Sequence, residues 1–139
     1  MTELQQLRNS RRKETAEDFT PEPLVNEMLD KLPPESWLPE KTFIDPAAGN
    51  GNFLVEVIKR KLAAGSTKLQ ALSTTYGVEL MADNVVEMKE RLLNEVLPLS
   101  EEDLKTAKSI LRRNIKCHNA LTWDFDNWKS TERKVKALF

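Results

Sequence analysis

Residues 42–54 read Thr-Phe-Ile-Asp-Pro-Ala-Ala-Gly-Asn-Gly-Asn-Phe-Leu. Residues 42–44 predict a short buried strand, and Asp45 stands where that strand ends. The proline, alanines and glycines of residues 46–51 let the backbone turn sharply and approach a ligand closely. Apolar residues then recur at helical spacing and predict a helix: Phe53, Leu54, Val57, Ile58 and Leu62. Because ligands bind at the carboxyl ends of strands in open parallel sheets, the stretch predicts an α/β fold with a ligand site at this edge.

The glycine spacing distinguishes three kinds of ligand-binding turn. A dinucleotide fingerprint needs Gly-x-Gly-x-x-Gly, but Leu54 occupies the third glycine position after Gly49 and Gly51. A phosphate loop ends in Gly-Lys-Ser or Gly-Lys-Thr, and the sequence contains neither. The third kind is an S-adenosylmethionine (SAM) site. Residues 45–54 closely resemble the first motif of DNA methyltransferases that modify the exocyclic amino group of adenine, Asp-Pro-x-Cys/Ala-Gly-x-Gly-x-Phe-Leu. A glycine turn that serves only chain reversal is the alternative.

The resemblance covers about residues 18–139 and implies a Rossmann-like SAM-methyltransferase fold, with a partial parallel sheet and helices on both faces. SAM is then the implied cofactor. Six residues of the first motif are implied to bind it: Asp45, Pro46, Ala47, Gly49, Gly51 and Phe53.

Composition bounds the class of protein. The chain has 139 residues, which suits one domain, and its 40% hydrophobic and 31% charged residues are typical of a soluble globular protein. The formal charge is −1, so a nucleic-acid face would need local clustering of cations. No apolar run approaches the roughly 18 residues of a membrane helix, and the N-terminus lacks a signal-peptide core, so no membrane and a cytoplasmic location are expected. One cysteine, Cys117, and one histidine, His118, cannot form a disulfide or a four-ligand zinc site, so no metal is expected.

Residues 1–17 are expected to form a polar N-terminal arm with four clustered cations: Arg8, Arg11, Arg12 and Lys13. The arm either contacts phosphates or is a solvated, frayed terminus, and the second interpretation is favoured. Next, Thr20 predicts a helix N-cap and Pro21 the first helical position. Many adenine methyltransferases have Phe-Thr-Pro here, so the resemblance implies that Phe19, Thr20 and Pro21 contact the methionine part of SAM. From the residues alone, this is a capped helix and nothing more.

The second strand is predicted over residues 75–79, with Glu79 at its carboxyl end. A carboxylate there can accept hydrogen bonds from ribose hydroxyls. The family's second motif is an acidic residue at this place, usually in Gly-x-Glu/Asp, and Gly77-Val78-Glu79 fits it. The resemblance implies that Glu79 binds the ribose and that Leu80 packs against the adenine ring. The alternative is an exposed glutamate at a strand end.

The third strand is predicted over residues 115–118 and is followed by Asp124-Phe125. The family often has Asp-Phe or Asp-hydrophobic in this region. The resemblance implies that Asp124 accepts a hydrogen bond from the SAM adenine and that Phe125 packs on the ring, with Asp126 as the competing choice. A structural role is favoured for His118.

A fourth strand is predicted over residues 135–139, beside the first strand, at a sheet edge that invites a second subunit or self-association. In the family this strand leads into Asn/Asp/Ser-Pro-Pro-Tyr/Phe, which holds the flipped adenine. The sequence contains no such tetrapeptide, so no catalytic residue is assigned. The predicted function is the SAM-binding portion of an adenine-specific DNA methyltransferase, as in restriction-modification, inactive alone and meeting DNA through the complete enzyme. The alternative is a non-catalytic SAM-binding or regulatory module.

Overall fold

A three-stranded parallel sheet is the centre of the computed structural model, which describes residues 2–3, 5–8 and 19–132. The strands are β1 (Phe43–Asp45), β2 (Thr75–Glu79) and β3 (Ile115–Cys117), in the order β1-β2-β3. Asp45 pairs with Gly77, and Glu79 pairs with Cys117. The strands run the same way and end at one edge, so the predicted α/β class is confirmed. The strand predicted over residues 135–139 lies outside the described residues.

Within residues 19–132, five helices accompany the sheet: α1 (Glu22–Asp30), α2 (Asn52–Ala63), α3 (Lys68–Ser73), α4 (Ala82–Val96) and α5 (Glu101–Asn114). Side-chain hydrogen bonds cap the N-termini of two of these helices. Thr67 accepts from the Gln70 N–H and forms a reciprocal capping box that starts α3. Ser100 accepts from the Asp103 N–H at the start of α5. Short 3₁₀ turns cover Pro34–Trp37 and Ala120–Thr122.

The described helices pack on one face of the sheet. Ile115 belongs to the main core, which joins side chains of α2, α3, α4 and α5. Phe43 lies on the same face and belongs to a second cluster with Val25 of α1. Neighbouring residues along a strand point to opposite faces, and Ile44 on the other face is 45% exposed, so β1 is not the buried strand predicted from residues 42–44. Within residues 19–132 the helices therefore cover one face, not the two faces expected from the resemblance.

Two further local predictions were wrong. Thr20 is not the N-cap of α1: the cap is Pro21, and no side chain caps the helix. The helix thus starts one residue later than predicted, at Glu22. The apolar spacing of residues 83–97 predicts a helix with inward Val85, Val86, Leu92, Leu93 and Val96. In α4, however, Val86 is 58% exposed, whereas Met88 is fully buried. The buried face of α4 follows positions 85, 88, 92 and 96, which is the usual i, i+3, i+7 spacing of a helix packed on one side.

A short antiparallel hairpin follows β3 and was not predicted. It pairs β4 (Trp123–Asp124) with β5 (Lys129–Ser130). Trp128 lies edge-on to Tyr76 of β2, with ring centroids 4.9 Å apart, and its indole N–H donates to the Arg113 carbonyl at 2.7 Å. The hairpin therefore contributes to covering the face of the sheet that lacks helices.

No helix in the described residues has the length and apolarity needed to cross a membrane.

Lys61 of α2 is an ionisable residue inside the fold, with no exposed surface. Its Nζ donates to the Lys41 carbonyl and stands 5.4 Å from the centre of the Phe43 ring. Burial lowers the pKa of Lys61, although Glu40 opposes the change. The charged form is thus less favourable in the folded chain than in the unfolded chain.

Comparison with Lys61→Met is expected to reveal the free-energy cost of burying the charged form of Lys61, through the pH dependence of the free energy of unfolding. Because the folded pKa is lowered, wild type should gain stability relative to Lys61→Met as pH rises from neutral toward 10.5, the ordinary lysine value. Urea unfolding across that range measures the difference. Lys59→Met, at a more exposed position of α2, separates burial from the loss of a charge. A difference that stays constant or falls with pH would contradict the argument.

Candidate functional site

A cavity of about 350 Å³ lies at the carboxyl end of β1. It is bounded by the turn after that strand, the start of α2 and the segment that leads into α1. Seven of the predicted cofactor residues line it together: Phe19, Thr20, Asp45, Pro46, Ala47, Gly49 and Phe53. Its volume is within the range of roughly 300–1,000 Å³ for small-molecule sites. The structure thus brings the Phe-Thr-Pro segment and the glycine turn, which are distant in sequence, to one concave surface.

Two glycines shape the turn. Gly49 and Gly51 have φ angles of +55° and +92°, a conformation that side chains disfavour. A Cβ on Gly49 would stand 2.9 Å from Phe19 Cδ1, and one on Gly51 would stand 2.9 Å from Met88 Cγ. Both distances are shorter than real Cβ contacts allow. Gly49 therefore permits the close approach of Phe19, and Gly51 permits the packing of α4 against the start of α2.

Within the described residues, the turn also presents polar groups that have no hydrogen-bond partner. Among the described residues, the backbone N–H groups of Gly49 and Asn50 donate to no acceptor. The Asn50 Oδ1 atom is buried and likewise has no partner in the described part of the chain. Buried polar atoms are usually hydrogen-bonded, and an orphan needs an explanation. A polar ligand in the cavity, which Asn50 lines, would supply the missing partner.

Arg91 of α4 fixes the turn after β1 by hydrogen bonds. Its Nη1 donates to the Asn50 carbonyl at 2.9 Å and to Asn52 Oδ1 at 2.7 Å. The Asn52 side-chain amide in turn donates to the Thr20 carbonyl at 2.9 Å. Hydrogen bonds that involve a charged group contribute about 1.5–3 kcal/mol each. This chain of contacts fixes the turn relative to the residues that precede α1.

Asp45 supplies a carboxylate at the cavity wall. Its Oδ1 accepts from the Ala47 N–H at 3.1 Å. Burial raises the pKa of Asp45, the Ala47 hydrogen bond lowers it, and the nearby Glu79 carboxylate raises it again. The carboxylate at the end of β1 is thus close enough to the carboxylate at the end of β2 to be influenced by its charge. Two carboxylates at one edge favour a ligand that carries hydroxyl donors or positive charge.

Glu79 is positioned by a buried residue of α4. Asn84, which has no exposed surface, donates from Nδ2 to Glu79 Oε2 at 2.8 Å, and the Met81 N–H donates to the same oxygen at 3.2 Å. Within the described residues Glu79 Oε1 has no hydrogen-bond partner. One carboxylate oxygen is thus held by the protein while the other is available. Leu80, the next residue, is 58% exposed.

Arg8 extends this network to the N-terminal segment. Its Nη2 donates to Asn84 Oδ1 at 3.3 Å and to Glu87 Oε2, and its Nε donates to Asp83 Oδ2 at 3.3 Å. Arg8 was predicted within an arm that is either phosphate-binding or solvated. The structure instead ties it to acidic and amide groups of α4. Arg11, Arg12 and Lys13 lie outside the described residues.

Asp124 and Phe125 do not line the cavity. Asp124 closes the β4–β5 turn, where its Oδ1 accepts from the backbone N–H groups of Asp126 and Asn127, both at 3.0 Å. The Asn127 side-chain amide, together with these N–H groups, lowers the pKa of Asp124. Phe125 lies edge-on to Trp128. The assignment of Asp124 and Phe125 to the SAM adenine stays a prediction.

His118 has the structural role favoured from the sequence. Its Nε2 is hydrogen-bonded to Thr122 Oγ1 at 3.1 Å and to Ser130 Oγ at 3.2 Å, and its ring lies against Trp123. These contacts join the end of β3 to the hairpin. Among the described residues, no group of three or more His, Cys, Asp or Glu side chains could hold a metal ion.

Sequence reasoning missed Asn50, Asn84 and Arg91. Asn50 stands between the motif glycines at a position that the family motif leaves open, so the motif carried no signal for it. Asn84 and Arg91 fall on the predicted α4 helix, and Asn84 is a polar residue on its buried side. A polar residue on the core face of a helix is the one signal that could have found Asn84, because buried amides need partners.

No protein-family model matches the chain, and neither a search of curated proteins nor a search of solved structures finds a match.

Removing the Asn84 side chain is expected to weaken the hold on Glu79. Asn84→Ala should lower the free energy of unfolding by about 1–3 kcal/mol, because a buried hydrogen-bonded amide is lost. Glu79→Ala and the double variant complete a mutant cycle, whose coupling energy should fall within roughly 0.5–3 kcal/mol. Urea unfolding of the four proteins measures it. Strictly additive effects would mean that the Asn84–Glu79 contact contributes nothing.

Proposed function

We propose that this chain is the SAM-binding portion of an adenine-specific DNA methyltransferase, with the Rossmann-like arrangement of that family. The observation that carries the proposal is the cavity of about 350 Å³, because residues of two separate family motifs line it together. The three strands also follow the order expected of the family, with the first and third on either side of the second.

Residues that line the cavity fit chemical groups of SAM, as do Glu79 at the end of β2 and Leu80 after it, which do not line the cavity. The free N–H groups of Gly49 and Asn50 suit the carboxylate of the methionine part, and the orphaned Asn50 Oδ1 suits a donor. Asp45 suits positive charge, which SAM carries on its sulfonium and its amino group. The available Oε1 of Glu79 suits a ribose hydroxyl. Leu80, exposed beside Glu79, offers an apolar surface to the adenine.

When bound, SAM would supply a methyl group on a positively charged sulfur. This chain's own contribution is to bind and orient that donor, since methyl transfer depends largely on alignment with the acceptor nitrogen. The Arg91 and Asn84 contacts keep the turn and the Glu79 carboxylate in place before the ligand arrives. A preorganised site loses less entropy on binding.

The sequence lacks Asn/Asp/Ser-Pro-Pro-Tyr/Phe, so the proposal is limited to donor binding and assigns no base-holding residue. A non-catalytic SAM-binding module would use the same cavity. The two are distinguished by adding a polypeptide that carries the tetrapeptide motif and following labelled methyl incorporation into DNA. Incorporation that needs both chains supports the methyltransferase.

SAM titration by calorimetry tests the proposal directly. Wild type is expected to bind SAM, and Glu79→Ala should bind about 1–3 kcal/mol more weakly through lost hydrogen bonds to ribose. Gly49→Val should abolish binding, because its side chain would collide with Phe19. Glu95→Ala, which removes a carboxylate of α4 away from the cavity, is the matched control. No saturable SAM binding by wild type would overturn the proposal. Equal affinity of wild type and Glu79→Ala would overturn only the role of Glu79.

Asp45→Asn is expected to change stability and binding in opposite directions. Folding raises the pKa of Asp45 above 3.8, so its ionised form costs stability at neutral pH, and this cost fades as pH falls to 3.8. The variant should therefore be more resistant to urea than wild type at neutral pH. Its SAM affinity should fall, because the carboxylate that faces positive charge is gone. A variant that is less stable, or that binds SAM as well as wild type, would contradict this role.

A further inference from the structure

A second cavity, of about 410 Å³, lies between α4 and α5, on residues that do not line the first cavity. We name it the α4–α5 groove and define it by its lining: Lys89, Glu90, Leu93, Lys105, Lys108, Leu111 and Arg112. Leu93 and Leu111 form an apolar floor that continues into the main core. The groove is independent of the proposed SAM site.

The groove is strongly basic in a chain whose net charge is −1. Its lining holds four cations, Lys89, Lys105, Lys108 and Arg112, and one carboxylate, Glu90, which gives a local charge of +3. Lys105, Lys108 and Arg112 follow i, i+3, i+7 spacing and so form a stripe along α5. Over residues 2–3, 5–8 and 19–132, none of the four cations is in an ion pair.

We propose that the α4–α5 groove docks an amphipathic helix of a partner protein, whose apolar stripe covers Leu93 and Leu111 and whose flanking carboxylates face the cations. Helices bind in grooves of this kind through apolar anchors at i, i+3, i+4 and i+7. Because the groove is positively charged, charge complementarity predicts that the partner helix is acidic. A bare polyanion such as DNA would pair with the cations but leave the leucine floor uncovered.

The chain's own undescribed segments fit the groove poorly by composition. Residues 133–139 contain Arg133, Lys134 and Lys136 and no acidic residue. Their charge is therefore positive, like that of the groove, and would be repelled by it. Residues 9–18 contain no large apolar side chain to cover the floor. Both comparisons favour an occupant from another polypeptide.

A designed helix provides the probe. A hydrocarbon-stapled, fluorescent peptide with leucines at i, i+3, i+4 and i+7 and glutamates on both flanks is titrated with the 139-residue chain and followed by anisotropy. Saturable binding that weakens as salt rises is expected, since rim charges are screened. NMR of the labelled chain should show shifts at Leu93 and Leu111. A peptide of the same composition in scrambled order should bind much more weakly.

Paired charge reversals identify the surface. Lys105→Glu with Lys108→Glu should weaken binding about tenfold or more by turning attraction into repulsion. Lys31→Glu with Lys41→Glu makes the same charge change at exposed residues away from the groove and should leave binding near wild type. Thermal unfolding checks that both double variants fold.

Four outcomes would overturn the proposal: no saturable binding, equal binding of the scrambled peptide, equal losses in both double variants, or shifts that fall outside the groove. Tighter binding of a DNA duplex at Lys105 and Lys108 would assign the groove to nucleic acid instead. The NMR mapping uses wild type, so the test does not depend on any variant folding.

Discussion

The hydrogen bond from the Ala48 N–H to the Val78 carbonyl, 3.0 Å long, ties the glycine turn to the end of the neighbouring strand. It continues the β1–β2 pairing, which ends at Asp45 and Gly77, into the turn. With it, the direction in which the chain enters α2 is set, and Asp45 and Glu79 are held at one edge. The cavity depends on that edge, because it is bounded by the turn on one side and by the residues before α1 on the other.

Helix α4 fixes the positions of both Glu79 and the turn after β1. Asn84 holds Glu79, Met88 packs against Gly51, and Arg91 binds the Asn50 carbonyl. These residues follow i, i+4, i+7 spacing, which places them on one side of the helix. A single rigid element therefore positions a carboxylate of β2 and the backbone of the turn after β1. The cavity is lined mainly by the turn and by the residues before α1, and α4 supports that turn, since regular elements hold their side chains more tightly than loops do.

The strands and helices could be predicted because their signals are local. From the sequence, residues 68–73 are predicted as a short helix, and Ser100 is predicted to cap a helix whose last turn holds Arg112 and Arg113. These predictions, like that of α2, agree with the structure within about a residue. The predictions that failed concern features that depend on three-dimensional contacts. Val86 and Met88 both fit an apolar helix face, and only the direction from which the core approaches decides which one is buried. The β4–β5 hairpin has two-residue strands, too short for alternation to show, and is held by contacts such as that of Trp128 with Arg113.

Some residues of the candidate site could likewise be predicted from the sequence, and others could not. The motif residues that surround the glycine turn were predicted together and do line one cavity, because a strand, a turn and a helix in sequence have few ways to pack. Asn84 and Arg91 were not predicted, because nothing in a single sequence says which polar residue of a later helix will reach back to an earlier turn. Asp124 was assigned by its order in the chain, whereas its carboxylate is engaged within its own turn.

Helix α4 lines the α4–α5 groove and also contacts Glu79 and the glycine turn, which has a thermodynamic consequence. One side of the helix carries Asn84, Met88 and Arg91, and another carries Lys89, Glu90 and Leu93, which line the α4–α5 groove. Any occupant of the groove that favours one position of α4 thereby favours one arrangement of Glu79 and the turn. Such linkage is reciprocal: a small molecule bound at the sheet edge would alter the affinity of the groove by the same factor. The helix is thus a common mechanical part of two surfaces that share no lining residue.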